Sequence, residues 1–558
     1  MSDLTPRPWV DGLSIGQVLD ETVSRHGERD AVVFPMRGLR WSWNELAEQV
    51  DAAARGLIAL GIEHGAHVAV WATNVPQWIV LQFASARIGA VLVTVNPAYR
   101  PFELKYVLRQ SDAAALLLVD AFKTSDYFAM LHEVCPELAG STPGEFDVEE
   151  FPRLRWVVAL QGEPPLGAIS WNELLERGTS VDAAAREMRL RATRAEDVIN
   201  IQYTSGTTGF PKAAMLTHRN LLLNAYYVGA CQQLSEADRM CIPVPFYHCF
   251  GCVMGTLCAA VYGAAMIIPA DHFDPVATLD AIEREGATVL YGVPTMFIAQ
   301  LQDPSFARRR LSSLRTGIMA GSPCPIEVMR QVIEQMGADQ ITIAYGQTEA
   351  SPVITQTRTD DPVELRVQTV GRPLPGVEVK IVDPQSGETL ADGVQGELCT
   401  RGHVVMRGYY SNSEATSQAI DAEGWLHTGD LALRQSNGYY RITGRIKDMV
   451  IRGGENIYPR EIEEFLFQVE GVEQAAVVGI PDSKYGEELC AWIKLKPGAT
   501  LTADSIRETC RRSLAHYKVP RYVQFVTEFP QTVTGKIQKF RIREQMIADL
   551  GLSQPETA

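Results

Sequence analysis

Short aliphatic and β-branched runs alternate with helical patterns along most of the chain. The strand-like runs include AHVAVWA (66–72), GAVLVTVN (89–96), AALLLVD (114–120) and ATVLYGV (287–293). Strands that alternate with helices in this way are typical of parallel sheets whose faces are covered by the helices. The pattern therefore predicts an α/β fold, and we expect a large N-terminal domain made of two parallel-type βα subdomains.

The pattern changes twice toward the C-terminus. From residue 377, the runs VEVKIVD, GELCTRG and GYYRITGR alternate between glycine turns, which predicts a small β-barrel-like subdomain over about 377–444. Beyond it, Pro459 is suited to the first turn of a helix, and Thr502 can cap a second helix after two strand-like runs. We expect a large domain over 1–445 and a small mobile α+β domain over 449–558.

The composition and charge exclude several classes of protein. Hydrophobic residues make up 46% of the 558 positions and charged residues 21%, so the chain can bury large cores and is not disordered throughout. The net charge of −16 disfavours a nucleic-acid partner, because phosphate binding needs a basic surface. Cys249 and Cys252 form a close pair, but no second pair completes a zinc site, so we expect them to be buried core residues.

One uncharged segment is long enough to raise the question of a membrane span. Residues 252–270 carry no charge, but Gly255, Gly263 and Pro269 interrupt them and no Lys or Arg flanks them. We therefore predict a buried helix and strand and no transmembrane span. The first residues lack the apolar core of a signal peptide, and the expected location is the cytoplasm.

The segment YTSGTTGFPK (203–212) has the composition of a phosphate-binding loop. Four Thr and Ser hydroxyls, two glycines and Lys212 lie within ten residues, directly after an apolar run. Glycines allow backbone N–H groups to turn toward an anion, while the hydroxyls and the lysine add donors and charge. The spacing of glycines and lysine does not match the P-loop of kinases and NTPases, which disfavours that class.

Further motifs accompany this loop in a fixed order. They are AGSPCP (320–325), YGQTE (345–349), GWLHTGDLA (424–432), GRIKDMVIRGGENIYP (444–459) and PQTVTGK (530–536). Together with the loop, they make the chain resemble the adenylate-forming superfamily from about Leu39 to Met546. Within it, PFYHCFG (245–251) and the segment 96–113 resemble medium-chain fatty-acyl-CoA synthetases.

The resemblance implies a two-step reaction that uses ATP, Mg²⁺ and CoA. A carboxylate attacks the α-phosphorus of ATP to give an acyl-adenylate and pyrophosphate, and a thiol then displaces AMP. By resemblance, Lys536 bridges the carboxylate and the α-phosphate, Thr348 donates to the α-phosphate and Glu349 holds Mg²⁺. Cations and fixed donors suit this chemistry, because both steps move negative charge between oxygens.

The same resemblance implies a nucleotide site and an acyl site. Tyr345 is expected to stack on adenine, Asp430 to accept from the ribose hydroxyls and His248 to orient the carboxylate or gate its channel. The expected ATP- and AMP-binding residues are Thr204, Ser205, Gly206, Thr207, Thr208, Gly209, Lys212, Gly321, Ser322, Pro323, Tyr345, Gly346, Gln347, Thr348, Asp430, Arg445 and Lys536.

The resemblance also implies that the small domain turns between the two steps. Lys447, in a hinge over 446–448, is the expected pivot, and Gly453 and Gly454 are expected to meet the pantetheine arm of CoA. Glycines suit a narrow thiol channel because they allow the backbone to approach closely. Several relatives carry an acidic residue where this chain has Lys447.

The acid substrate is constrained by what the region around His248 lacks. Between Asp238 and Asp271 the chain has no acidic residue, so a substrate ammonium would be buried without a partner. An amino acid is therefore disfavoured and a medium-chain fatty acid favoured. An aromatic, branched or long-chain acid, an acyl-AMP ligase that serves a carrier protein, and a nucleotide-binding pseudoenzyme are the alternatives. The expected partners are small molecules, with the chain a monomer or a homodimer.

Overall fold

The computed structural model describes residues 7–204, 211–322, 324–452, 455–482, 484–532 and 535–552. Its strands are β1 (Asp30–Phe34), β2 (Leu39–Ser42), β3 (His67–Trp71), β4 (Val91–Thr94), β5 (Ala113–Leu118), β6 (Ala121–Phe122), β7 (Ser125–Asp126), β8 (Trp156–Ala159), β9 (Ile169–Ser170), β10 (Val198–Thr204), β11 (Lys212–Thr217), β12 (Arg239–Cys241), β13 (Ala265–Ile267), β14 (Val289–Gly292), β15 (Thr316–Ala320), β16 (Gln340–Gly346), β17 (Val353–Gln356), β18 (Arg372–Pro373), β19 (Val377–Val382), β20 (Gly396–Gly402), β21 (Gly408–Tyr409), β22 (Leu426–Arg434), β23 (Tyr440–Arg445), β24 (Val450–Arg452), β25 (Glu455–Ile457), β26 (Val472–Asp482), β27 (Gly486–Leu495) and β28 (Tyr522–Phe525).

The α-helices connect these strands and cover the sheets. They are α1 (Ile15–His26), α2 (Trp43–Ala59), α3 (Pro76–Ile88), α4 (Pro101–Gln110), α5 (Tyr127–Val134), α6 (Trp171–Gly178), α7 (Ala183–Ala192), α8 (His218–Cys231), α9 (Cys258–Tyr262), α10 (Pro275–Glu285), α11 (Pro294–Leu301), α12 (Ile326–Met336), α13 (Val363–Gln368), α14 (Ser413–Ala419), α15 (Pro459–Phe467), α16 (Ala503–Ser513) and α17 (Lys539–Asp549). A π-helix, Phe250–Leu257, precedes α9 directly.

Two large sheets form the N-terminal part of the molecule. The nine-stranded sheet has the order β18-β17-β16-β15-β14-β12-β13-β1-β2, and the eight-stranded sheet has the order β21-β11-β10-β4-β3-β5-β8-β9. The inner strands of both sheets pair in parallel, and the antiparallel strands lie toward the edges. The predicted α/β class with parallel sheets is therefore confirmed.

A helical layer is shared by the two large sheets. Nearly every residue of α3 is buried, as expected for a helix that is covered on all sides. The Gln82 amide of α3 donates to the backbone oxygen of Cys252 in the π-helix at 2.8 Å, and its side-chain oxygen accepts from Thr256 at 2.6 Å. These bonds satisfy polar groups inside an otherwise apolar layer, which would be costly to leave unpaired.

The segment that carries no charge, 252–270, folds as the sequence predicts. It contains most of the π-helix, then α9, and then the buried strand β13 in the nine-stranded sheet. Among the residues that the structure describes, no helix has both the length and the apolar character needed to cross a membrane.

Two smaller sheets follow in the C-terminal third. The strands β19, β20, β22 and β23 form a four-stranded antiparallel sheet where the sequence predicts a barrel-like unit. Beyond it, β24 to β28 form a sheet around the long β26–β27 hairpin, against which α15, α16 and α17 pack their apolar residues. This small α+β unit agrees with the predicted fold class, while the boundaries at 445 and 449 stay a prediction.

Candidate active site

The site lies at the carboxyl ends of neighbouring parallel strands. Strands β15 and β16 pair in parallel, with Ala320 opposite Ala344, so the segments that follow them emerge side by side. Gly321 and Ser322 follow β15, and Tyr345 and Gly346 end β16. Open α/β sheets bind ligands at this edge, because the loops that leave the strands surround a crevice there.

The two ends of the segment predicted to bind phosphate lie at the edge of the other large sheet. Strands β10 and β11 form a hairpin in which Thr204 pairs with Lys212, so both residues stand at the mouth of the connecting loop. The Thr204 hydroxyl donates to Glu349 Oε1 at 3.0 Å and so joins the two sheets. The Lys212 ammonium lies 5.0 Å from the centre of the Tyr409 ring.

Glu349 has one carboxylate oxygen anchored and one available. Its Oε1 accepts from the hydroxyls of Thr204 and Tyr409, at 3.0 and 2.9 Å. Within the described part of the chain, no hydrogen bond reaches its Oε2. Mg²⁺ prefers one or two carboxylates together with substrate phosphate oxygens, so this single free oxygen beside the β10–β11 hairpin fits the ion.

Asp430 connects the end of β16 to the last residue of β23. Its Oδ2 accepts from the Tyr345 hydroxyl at 2.8 Å, and its Oδ1 pairs with Arg445 Nε at 2.8 Å. Asp430 is 4% exposed, so its charge is held by these partners with little help from bulk water. The carboxylate raises the pKa of Arg445, which keeps the guanidinium charged.

An irregular pairing between β20 and β22 delivers Asp430 to this position. Glu397 lies opposite Leu431, while Cys399 lies opposite His427. A step of two residues along β20 is therefore matched by a step of four along β22, so β22 contains two additional residues here. The additional residues include Gly429, whose φ of +69° is a conformation that glycine adopts without strain. Glu397 Oε1 accepts from the Gly429 backbone N–H at 2.9 Å and fixes this bulge in β22.

Lys536 projects into the crevice from the small C-terminal unit. Its turn contacts the large unit closely, because a Cβ placed on Gly535 would lie 2.5 Å from Thr295 Oγ1. The lysine remains solvent-accessible along the open crevice, but the protein surrounding the ammonium lowers its pKa to about 8. After burial, the charge of Arg445 is the largest cause, and Asp430 opposes both.

Other cations gather at the same place. Partial burial and the charges of Lys212 and Arg445 lower the pKa of Lys447, so these three residues lie near one another. Arg445 also acts on Lys536, which places a fourth cation in the group. The Asp430 carboxylate offsets part of this positive charge, and the remaining charge suits an anionic ligand such as a triphosphate.

His248 also lies close enough to Lys536 to be affected by its charge. Its Nδ1 accepts the backbone N–H of Phe250 at 3.1 Å, so the neutral imidazole carries its proton on Nε2. Burial, followed by the charge of Lys536, lowers the pKa of His248 to about 4, and the ring is neutral at pH 7. Thr348 is hydrogen-bonded to the neighbouring Cys249, which brings the YGQTE segment against the histidine.

Comparisons with known proteins agree with this geometry. Residues 19–410 match the model of the AMP-binding enzyme family, and residues 461–536 match that of the AMP-binding enzyme C-terminal domain. The chain belongs to the AMP-binding enzyme family. A putative acyl-CoA synthetase, YngI of Bacillus subtilis (strain 168), is 51% identical over 543 residues, which are 97% of this chain and 99% of YngI.

Two further relatives widen the comparison. The mitochondrial medium-chain acyl-CoA ligase ACSF2 of Danio rerio is 42% identical over 554 residues, covering 98% of this chain and 91% of that protein. The crystal structure of the anthranilate CoA ligase AuaEII in complex with anthranoyl-AMP superimposes with a TM-score of 0.85 at 28% identity, covering 97% and 98% of the two chains. The predicted family resemblance is confirmed.

The structure of this AMP-binding enzyme brings most of the predicted site residues into one crevice. The predicted residues that it gathers are Thr204, Lys212, His248, Gly321, Ser322, Tyr345, Gly346, Gln347, Thr348, Glu349, Asp430, Arg445, Lys447 and Lys536. Lys447 lies in the 3₁₀ turn Ile446–Asp448, between the two units. The predicted residues Ser205, Gly206, Thr207, Thr208, Gly209, Pro323, Gly453 and Gly454 lie outside the described residues. The roles of all these residues stay predictions.

Several residues of the AMP-binding enzyme's site were not predicted. Tyr409 reaches Glu349 because β21 pairs with β11, with Tyr409 opposite Ala214. Glu397 holds the bulge in β22 directly before Asp430. Arg441 of β23 forms an ion pair with Glu464 of α15 at 2.7 Å and so connects the two units. Each contact joins segments that are far apart or separately folded, so no local spacing signals it.

Proposed function

We propose that this AMP-binding enzyme is an acyl-CoA ligase whose acid is a medium-chain fatty acid. In the first step, a carboxylate oxygen of the acid attacks the α-phosphorus of ATP, and pyrophosphate leaves with the bonding electron pair. In the second step, the CoA thiol, having lost its proton, attacks the acyl carbon, and AMP leaves. The gathering of Lys212, Arg445, Lys447 and Lys536 around one crevice is the observation that carries this chemistry.

In the first step, different side chains of the protein would contact the phosphate, the acid and the ribose. The Lys536 ammonium would bridge the carboxylate and the α-phosphate, where charge develops as the new bond forms. The neutral His248 ring can donate from Nε2 to the second carboxylate oxygen, which holds the acid without a competing cation. Asp430 can accept from the ribose hydroxyls while Arg445 pairs with its Oδ1.

Mg²⁺ would be held by Glu349 together with phosphate oxygens of ATP, and it would neutralise charge on those phosphates when bound. The anchored Oε1 of Glu349 fixes the direction of the free Oε2. Thr204 and Tyr409 therefore position this ligand.

For the second step, we propose that the small unit turns about Lys447. The turn Ile446–Asp448 is the connection between β23 of one unit and β24 of the other. In the observed pose, the Arg441–Glu464 ion pair and the contact of Gly535 with Thr295 hold Lys536 in the crevice. Rotation would break both contacts, withdraw Lys536 and bring Gly453 and Gly454 toward the acyl-adenylate.

The surroundings of His248 favour an alkyl chain. The helix that begins two residues later, Phe250–Leu257, is buried along its whole length, and its polar groups are occupied within the protein. The stretch from Arg239 to Ala270 contains no carboxylate that could pair with a substrate ammonium. The names of YngI and ACSF2, an acyl-CoA synthetase and a medium-chain acyl-CoA ligase, support the same assignment.

A substrate panel tests the assignment. The full chain is incubated with ATP, Mg²⁺, CoA and acids from acetate to palmitate, with benzoate, anthranilate, leucine and phenylalanine, and AMP release is followed. Hexanoate to decanoate should exceed the amino acids by about 100-fold or more, since burying an unpaired ammonium costs several kcal/mol. Anthranilate or benzoate as the best acid would replace the fatty-acid assignment by that of an aryl-CoA ligase, the activity named for AuaEII.

Formation of acyl-AMP without CoA ester would instead identify an acyl-AMP ligase. A cytoplasmic location and a monomeric or homodimeric state also remain proposals. Both are accessible to separate measurements, namely fractionation of cells that produce the protein and light scattering on the purified chain.

A further inference from the structure

A cluster of three different donor groups lies between β20 and β22, next to the bulge that contains Gly429 and Asp430. Glu397 and Cys399 are two apart on β20 and so point to the same face of the sheet, and His427 is the cross-strand partner of Cys399 on β22. Their donor atoms all lie within 4.8 Å of one another. His427 Nδ1 is 2.9 Å from Glu397 Oε2 and 3.4 Å from Cys399 Sγ.

We propose that Glu397, Cys399 and His427 bind a divalent ion of the zinc type. Thiolate, imidazole and carboxylate are the ligands that Zn²⁺ uses in proteins, whereas Mg²⁺ prefers oxygen alone. Bonds of zinc length and tetrahedral angles separate neighbouring ligand atoms by about 3.3–3.6 Å. The sulfur–nitrogen distance of 3.4 Å already matches this range, and the oxygen–nitrogen distance needs to lengthen only slightly.

The surroundings support two of the ligands in the required orientation. His427 Nε2 faces Asp421 Oδ2 at 3.7 Å, and a carboxylate on the far nitrogen of a histidine is the usual support for a metal-bound ring. Glu397 Oε1 is held by the Gly429 backbone N–H, which leaves Oε2 to face the cluster. Asp421 is itself fixed by the backbone N–H groups of Glu423 and Trp425, each at 2.9 Å.

The site is both enclosed and reachable. Cys399 is buried against Val382 and Trp425, whereas the side chain of His427 is 34% exposed, so an ion can enter from the histidine side. Burial, and then the charge of Glu397, raises the pKa of the Cys399 thiol to about 12. The thiol proton must therefore leave to solvent as the metal–sulfur bond forms, while a water molecule from solvent fills the fourth position.

This site is separate from the proposed Mg²⁺ ligand Glu349 and does not depend on the proposed acid substrate. It is linked to the proposed nucleotide site through one residue, because Glu397 also holds the bulge in β22 that contains Asp430. An ion bound here would hold β20 and β22 together beside that bulge.

Metal titration of the full chain, freed of tags and stripped of metal, tests the proposal. The wild type should bind one Co²⁺ per chain with the near-ultraviolet absorption of a cobalt–thiolate bond, and Zn²⁺ should displace it. Cys399→Ser should lose that absorption and bind Zn²⁺ at least about tenfold more weakly in competition with a chromophoric chelator. Cys490→Ser, which alters another fully buried cysteine on a strand, is the matched control and should behave as wild type.

Asp421→Asn provides a second test of the metal site if the cysteine variant does not fold. Its amide oxygen can still accept the two backbone N–H groups, but its support of the metal-bound ring is weakened, so Zn²⁺ affinity should fall by about tenfold. Absence of a cobalt–thiolate absorption in the wild type overturns the proposal. So does a Zn²⁺ affinity that neither Cys399→Ser nor Asp421→Asn lowers, which would mark adventitious surface binding.

Discussion

Replacing Lys536 by alanine should separate the two half-reactions. The lysine lies on a turn whose contact with the large unit is made by Gly535, and its own side chain faces the open crevice. Truncation therefore removes no packed core group, and the free energy of unfolding should change by no more than about 0.5 kcal/mol. What it removes is one cation from the place where the carboxylate attacks the α-phosphate.

The magnitude follows from the position of this charge. Loss of one preorganised donor to a developing oxyanion costs about 10²–10³-fold in rate, equivalent to about 2.7–4 kcal/mol. A charged donor in a crevice that already depresses its pKa to about 8 should lie at the upper end of that range or beyond. We expect the acid-dependent exchange of pyrophosphate into ATP to fall at least about 10³-fold in Lys536→Ala. Thioester formation from supplied acyl-AMP should stay within about threefold, because the rotated unit has withdrawn the lysine by then.

The pH profile gives an independent readout. The active form of Lys536 is the ammonium, and burial and Arg445 bring its pKa down to about 8. In the free enzyme, kcat/KM for ATP should therefore be constant below this pKa and decline as pH rises through about 8. Lys536→Arg keeps a cation whose pKa exceeds 12, so the decline should disappear even if the rate is lower.

Two outcomes would refute this reasoning. Equal losses in both half-reactions would mean that Lys536 acts in both poses or supports the structure. An alkaline decline that persists unchanged in Lys536→Arg would assign the titration to another group. Thermal unfolding of each variant checks that the fold is retained, and His248, whose pKa of about 4 lies far below this range, cannot produce the alkaline change.

Three further substitutions test the remaining roles. Glu349→Gln keeps the anchored oxygen but loses the free charge, so the Mg²⁺ concentration for half-maximal rate should rise at least about tenfold; an unchanged Mg²⁺ dependence would exclude it as a ligand. Asp430→Asn should weaken AMP binding by about 10–100-fold in calorimetric titration, since hydrogen bonds to charged groups contribute about 1.5–3 kcal/mol, and wild-type affinity would contradict the ribose role. Lys447→Pro should retain ATP–pyrophosphate exchange but abolish CoA ester formation, while Lys447→Ala should be mild in both assays; normal ester formation by the proline variant would place the pivot elsewhere.

The fold class could be predicted because its signals are local. The apolar runs at 66–72, 89–96, 114–120 and 287–293 each coincide with one strand, and a helix is the next element after three of them, whereas the short strands β6 and β7 separate the run at 114–120 from α5. Thr502 caps α16 as predicted, with its hydroxyl accepting from the Ser505 N–H. Periodicity and capping report on about one turn or one strand at a time, which is enough to identify elements and their alternation.

The candidate site could be predicted only as a set of separate segments. The motifs identified Thr204, Lys212, Glu349, Asp430 and Lys536, and the structure brings these residues to one crevice. Their partners were missed, because partnership depends on strand pairings across long sequence separations. Tyr409 reaches Glu349 only because β21 lies beside β11, and the polar residue at that position has no local pattern that distinguishes it.

The bulge in β22 that carries Asp430 shows most clearly what local sequence reasoning misses. The run LHTGDLALR looks like one continuous strand, and β22 does extend over all of it. In a regular antiparallel pair, Asp430 would simply alternate with its neighbours across the sheet. The offset between Glu397–Leu431 and Cys399–His427 instead accommodates two additional residues, and the Glu397 carboxylate holds Gly429 in a positive-φ conformation. Because the offset exists only between two strands that are about 30 residues apart, the position of Asp430, and the donor cluster behind it, follow from pairing and not from either segment alone.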